Sequence, residues 1–214
     1  MKIAVYGATG MVGGQIVKES LRRGHEVTAI SRAGAAVPGA TACRAELADV
    51  RTFANVAKDH DAVVLATVPS RTGGDHGEWL SAMSAAFGSA GATRLLVVGG
   101  AGALEINGVR LCESPGFPEP YRPEARTMAA AYDEIRSAPE TLDWTMLAPA
   151  PVIKPGTRSG KYVTAQDSPA GPSITAQDFA VAMLDELEAP AHHRSRFTVA
   201  NPDKDTADHP YPVS

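Results

Sequence analysis

Residues 7–13 read Gly7-Ala8-Thr9-Gly10-Met11-Val12-Gly13, and no other stretch constrains the fold of this chain as much. They follow an apolar run, Ile3-Ala4-Val5-Tyr6, and lead into a helical pattern over residues 12–23 that closes at Gly24. A strand, a glycine-rich turn and a helix in that order form an element that cradles the phosphates of a dinucleotide. Gly7 permits the tight turn, Gly10 lets the backbone approach a pyrophosphate without a Cβ in the way, and Gly13 lets the helix pack close to the strand. The free N–H groups and the positive end of the helix dipole then face the phosphates. A strand-to-helix turn with no ligand needs one glycine rather than three. Gly7, Thr9, Gly10, Met11, Val12 and Gly13 are therefore the expected pyrophosphate site.

Downstream, apolar runs and helical patterns alternate. Strands are expected at 26–30, 41–44, 62–67, 94–98 and 144–147, with helices at 50–58, 77–90 and 124–137 and a Pro/Gly-rich loop at 114–123. Such alternation predicts an α/β fold with a doubly wound parallel sheet of the Rossmann kind. The 214 residues fit one domain. Residues 1–200 are expected to form it, with 149–200 as a small C-terminal cap on the substrate side. That cap would hold short strands at 161–164 and 196–199, and a helix begun by Thr175 as N-cap. Residues 201–214, polar and proline-rich, read as a loose tail. A net charge of -4 without a Lys/Arg run argues against a nucleic-acid partner. The apolar stretches are too short to span a membrane, and the N-terminus reads as a strand rather than a signal peptide. Cys43 and Cys112 have neither metal nor redox spacing, so free thiols, no metal site and a cytoplasmic location are expected. Nothing in the sequence specifies an oligomeric state.

The end of the second strand decides which nicotinamide cofactor is bound, because an acidic residue there would hold the ribose 2′-hydroxyl. Here the chain reads Ser31-Arg32. Serine does not repel a 2′-phosphate, and the planar fork of arginine can pair with one. NADP(H) is therefore expected over NAD(H). Glu46-Leu47 follows the third strand. Ala66-Thr67-Val68 ends the fourth strand, Gly99-Gly100 the fifth, and Pro149-Ala150 the sixth. Ligands bind outside the carboxyl ends of parallel strands, so all of these are candidate cofactor contacts.

The spacing Gly-x-x-Gly-x-x-Gly resembles that of the short-chain dehydrogenase/reductases. More particularly, GATGMVG, LLVVGGAGAL and LDWTMLAPAPVI resemble the atypical NAD(P)H-binding group. That group includes NADH-flavin reductase-like proteins, small flavin/biliverdin-IXβ reductases and NmrA-like proteins. In the wider superfamily a Tyr-Lys pair precedes the sixth strand, with the lysine lowering the phenol pKa. Counting back from Asp143-Trp144-Thr145 puts those positions near Glu124 and Met128, and no serine follows the fifth strand. Tyr132 and Arg136 repeat the spacing but fall about two turns late, and arginine does not replace lysine. His76, in the loop after the fourth strand, is the other catalytic candidate, although a helix-start position beside an Asp75 cap explains it too. Arg71 in that loop could face an anion.

The resemblance implies hydride transfer to a small flavin- or quinone-like acceptor by proximity and orientation, without a Tyr-Lys pair. Two rivals remain at this point: a non-catalytic NADP(H)-binding redox sensor of the NmrA-like kind, and a sugar-nucleotide epimerase.

Overall fold

The computed structural model describes residues 1–70 and 75–202. Strand β1 (Lys2–Tyr6) leads through the glycine turn into helix α1 (Met11–Arg22). There follow β2 (Glu26–Ser31), β3 (Thr41–Arg44), α2 (Val50–Lys58), β4 (Ala62–Leu65), α3 (His76–Ser89) and β5 (Arg94–Val98). A hairpin of β6 (Glu105–Ile106) and β7 (Val109–Arg110) precedes α4 (Arg122–Arg136) and β8 (Trp144–Pro149). The chain then forms β9 (Val152–Lys154), β10 (Val163–Ala165), β11 (Ser173–Thr175), α5 (Ala176–Glu188) and β12 (Ser195–Ala200). Gly24, expected to close the first helix, and Gly91, just past α3, have φ of +80° and +64°, backbone that glycine adopts without strain.

Eight strands form one sheet in the order β10-β12-β8-β5-β4-β1-β2-β3. All neighbours are parallel except the edge pair β10 and β12. Period-two alternation sends Ile3 and Val5 to one face, beneath α1 and α5, and Ala4 and Tyr6 to the other, beneath α2, α3 and α4. This is the doubly wound α/β fold, covered on both faces. The strand order reverses between β1 and β4, which opens a crevice at their carboxyl ends.

Several elements differ from expectation. Strand β4 stops at Leu65: the Ala66 N–H still donates to the Tyr6 carbonyl at 2.9 Å, but Thr67 turns away and its hydroxyl accepts the Trp79 indole N–H. The β6–β7 hairpin falls where the sequence pattern predicts no strand. Its tip is Asn107-Gly108, both at positive φ, the pair that a tight hairpin turn favours.

The region 149–200 divides rather than forming only a cap. Strand β12 pairs with β8 inside the main sheet, and α5 packs beside α1 with Phe179 and Leu184 fully buried. The excursion from β9 to β11 returns to the sheet only at its edge, through β10, while β9 and β11 pair with each other outside it. Of the expected tail, 203–214 lie outside the described residues.

Two buried carboxylates tie that excursion down. Asp178, capped into α5 by Thr175, accepts hydrogen bonds from the Ser159 and Gly160 N–H groups, the Ser159 hydroxyl and the Asn201 amide. Glu19 of α1 accepts from Arg22, Arg23 and, across the excursion, Arg158 at 2.8 and 3.0 Å. Burial by itself would raise the Glu19 carboxyl; hydrogen bonds from the three arginines override it and hold the group well below the usual carboxylate range.

A depressed folded pKa stabilises the protein above the unfolded value, and that contribution is lost as pH falls through the carboxylate range. Glu19→Gln should therefore lower stability by about 2 kcal/mol at pH 7. It should also flatten the fall in Tm between roughly pH 5 and 3. Parallel Tm-against-pH curves for the two proteins would contradict this account.

Candidate functional site

Every segment selected from the sequence leaves the carboxyl end of a parallel strand, so the topology gathers them at one edge of the sheet. The glycine turn is pinned there from both sides. The Gly7 and Ala8 N–H groups donate to the Ile30 carbonyl at the end of β2, and the Tyr6 carbonyl accepts from Ala66 beyond β4.

Gly7 has φ +80°, and a Cβ on it would stand 2.4 Å from the Ala66 oxygen. A Cβ on Gly13 would stand 2.2 Å from the Gly7 oxygen. These two glycines serve the packing of the turn itself. Gly10 differs: it is exposed, and a Cβ there meets only the Gly7 oxygen, at 3.3 Å.

Gly10 is also the N-cap of α1, with no side-chain cap and no acidic residue in the first turn. The first backbone bond of the helix runs from Gly14 N–H to the Gly10 carbonyl. Among the described residues, the N–H groups of Met11, Val12 and Gly13 have no acceptor, and they point out of the helix start. Thr9 and Met11 are exposed and Val12 is half-buried.

Beyond β2, Ser31 is buried, and its hydroxyl accepts the Ala35 N–H at 3.2 Å, so it organises the turn. Arg32 is exposed. Sequence reasoning missed Arg44, which pairs in register with Ser31 at the end of β3 and is also exposed. The turn at Gly34 comes so close that a Cβ there would stand 2.9 Å from the Arg44 Cβ. Among the described residues neither arginine has a carboxylate partner, so two free guanidinium groups flank this corner. Register across β2 and β3 was the signal that could have found Arg44. Glu46 is exposed, and Leu47 packs half-buried against the α2 side of the core.

At the centre of the edge, Val68 is 44% exposed, while the Thr67 hydroxyl is engaged by Trp79. Gly99 and Gly100 make room for methionines: a Cβ on either would stand about 3.0 Å from the sulfur of Met146 or Met128 respectively. Met128 lies on α4, where the superfamily's lysine would fall. Pro149 and Ala150 are buried, Ala150 within the α1/α5 core, so their side chains have little surface at the edge.

His76 opens α3, and Asp75 caps the helix by accepting the Gly77 N–H. Both imidazole nitrogens are engaged: Nε2 lies 2.8 Å from the Ser70 carbonyl and Nδ1 2.9 Å from the Thr127 hydroxyl on α4. The Tyr132 ring centroid lies 4.0 Å from the Arg196 guanidinium and 5.6 Å from that of Arg136, and the ring packs half-buried beside Ala103 and Ala148. Arg71 lies outside the described residues. Cys43 and Cys112 are free thiols, and burial with Glu113 beside it pushes the Cys112 thiol up, away from reactivity. His192 binds Glu186 and stacks on Phe197 at the opposite end of the strands.

A family model described as NAD(P)H-binding matches residues 7–190. The uncharacterized protein YwnB of Bacillus subtilis (strain 168) is 38% identical, with 94% of this chain and 99% of that protein covered. Among solved structures, a Streptococcus pneumoniae TIGR4 protein provisionally described as an NADH-flavin reductase is 30% identical, with a TM-score of 0.81 over 94% of this chain and 100% of that one. A Bacteroides thetaiotaomicron protein provisionally described as an epimerase is 32% identical, with a TM-score of 0.83 over 95% and 98%.

Proposed function

The chain belongs to the NAD(P)H-binding family, and from that premise we propose that it is an NAD(P)H-dependent reductase of a flavin- or quinone-like acceptor. The observation that carries the proposal is the open start of α1, with three N–H donors, no acid in the first turn and no Cβ at Gly10. That arrangement suits a pyrophosphate. Bound NAD(P)H supplies the hydride. The chain's own part is to hold and orient: Gly10 to Gly13 take the pyrophosphate, Arg32 and Arg44 the 2′-phosphate of NADP(H), and Glu46-Leu47 the adenine. Val68, Gly100 and Met128 leave a small apolar surface for the nicotinamide and acceptor. Pro151 and Val152, just beyond β8, begin the acceptor-side cover, and the setting is cytoplasmic.

With Glu124 and Met128 at the two superfamily positions, no Tyr-Lys pair stands ready to exchange a proton with an alcohol. Transfer between stacked rings needs proximity and orientation instead. The similarity to the S. pneumoniae protein supports this acceptor class. The B. thetaiotaomicron protein raises the epimerase reading, against which the missing pair counts.

The test is NADPH and NADH oxidation by the purified protein with FMN and with menadione. Turnover well above the enzyme-free rate is expected, faster with NADPH. Tight NADPH binding with no turnover on either acceptor would replace the reductase by a redox sensor.

A further inference from the structure

His76 joins three hydrogen-bond links that cannot all be made by a neutral ring. The links run from the Ser70 carbonyl to Nε2 (2.8 Å), from Nδ1 to the Thr127 hydroxyl (2.9 Å), and from that hydroxyl to the Pro123 carbonyl (2.9 Å). Both ends of the chain are carbonyl oxygens, which only accept. Three links therefore need three hydrogens. A neutral imidazole brings one and threonine one, so one link stays empty and the Thr127 hydroxyl must choose between Nδ1 and Pro123. An imidazolium brings two, and every link is then filled.

Resting on the reductase reading, we propose that this chain is the proton supply of the site: His76 stores a proton and Thr127 passes it to the acceptor. Its position supports this. Ser70 follows β4, His76 starts α3, and Thr127 stands immediately before Met128, the residue packed against Gly100 at the end of β5. The network thus bridges the two helices that begin at the carboxyl edge. The ionisable residues nearest in sequence are Asp75, the cap of α3, Glu78 on α3 and Glu124 on α4. The cations of that α4 turn, Arg122 and Arg126, are paired with Glu119 and Glu113.

In the reaction the acceptor gains a hydride, and with it two electrons, from NAD(P)H. It gains one proton from the Thr127 hydroxyl, which turns from the Pro123 carbonyl to the acceptor and is refilled from Nδ1–H of His76. His76 is left neutral and is recharged from solvent.

The test begins without cofactor. Ring-nitrogen NMR of the histidine-labelled protein follows His76 against pH in wild type, Thr127→Ser and Thr127→Val. The Thr127→Val change removes the acceptor for Nδ1–H, so the titration midpoint should fall by about one pH unit, a tenfold loss of proton affinity, while Thr127→Ser restores it. An unmoved midpoint in Thr127→Val overturns the proposal, whatever the enzyme does.

Single-turnover reduction of menadione by NADPH then reads the function. In His76→Gln an amide can fill two of the three links, as a neutral ring does, but stores no proton. This variant should slow reduction roughly a hundredfold and flatten its pH profile between about 5.5 and 8. A His76→Gln profile that keeps the wild-type pH dependence overturns the relay. A network that titrates as described in a protein that never oxidises NAD(P)H overturns the reductase reading instead.

Discussion

Gly13→Ala should destabilise the fold, whereas Gly10→Ala should leave it folded and weaken cofactor binding. Both replacements add one methyl group to the same turn, yet the methyl groups meet different surroundings. At Gly13 the Cβ would lie 2.2 Å from the Gly7 oxygen and 2.8 Å from its carbonyl carbon. These are backbone atoms, and the peptide that carries them is fixed by the Gly7 N–H bond to Ile30 and by the close approach of Ala66. No rotamer relieves such a clash, so α1 must move off the strand. Overpacking of this kind costs about 3 kcal/mol, or a Tm drop of roughly 6–12 °C for a chain of this size. At Gly10 the Cβ would meet only the Gly7 oxygen at 3.3 Å, and the remaining directions are open. Alanine in place of glycine at an N-cap costs about 1 kcal/mol or less. The methyl group would instead occupy the space in front of three unbonded N–H groups, where a pyrophosphate has to sit. NADPH affinity should fall by about tenfold to a hundredfold, the loss of one or two charge-assisted hydrogen bonds. Calorimetry and cofactor titration on the two variants separate the effects. Equal Tm losses would contradict the packing argument, and unchanged NADPH affinity in Gly10→Ala would remove the pyrophosphate from this turn.

The glycine turn is readable in the sequence because its requirements are local. A positive φ at Gly7 and a helix packed against its own preceding turn involve residues within one short segment, and residue type at fixed spacing records them. The central strands are readable for a related reason: apolar runs such as Ala62–Leu65, buried on both faces, leave few alternatives. What the sequence conceals depends on residues far apart along it. Arg44 matters through its register with Ser31, and register is a property of two strands. The engagement of His76 by Thr127 crosses from α3 to α4. At Gly99 and Gly100 an added Cβ would meet methionine side chains of β8 and α4, contacts between distant segments that spacing does not record. The C-terminal region reads as a cap because proline and glycine become frequent after Pro149. That composition marks the excursion between β9 and β11 well, yet it conceals that β12 returns to extend the sheet beside β8. A short stretch such as Arg196–Val199 carries no mark of which strand it will pair with.

Replacing Arg32 with alanine should weaken NADPH binding by roughly tenfold to a hundredfold and NADH binding by less than about threefold. The two cofactors differ only by the 2′-phosphate, so the ratio isolates that group from every shared contact. Arg32 is exposed just beyond β2, and among the described residues no carboxylate holds its guanidinium. Arg44 stands across the pair from Ser31 under the same conditions. Two unneutralised positive charges at one corner repel each other and favour a dianion between them. Arg44→Ala should therefore shift the ratio in the same direction, by less, because β3 is the edge strand. The double variant should bind the two cofactors about equally. Added salt should weaken NADPH binding more than NADH binding in the wild type, and this difference should vanish in the double variant. If Arg32 stacks on the adenine instead, both affinities fall together and salt acts equally on them. That outcome would leave the NAD(P)H site in place and remove its preference for the phosphorylated cofactor, since Ser31, whose hydroxyl accepts the Ala35 N–H, carries no charge with which to prefer a phosphate.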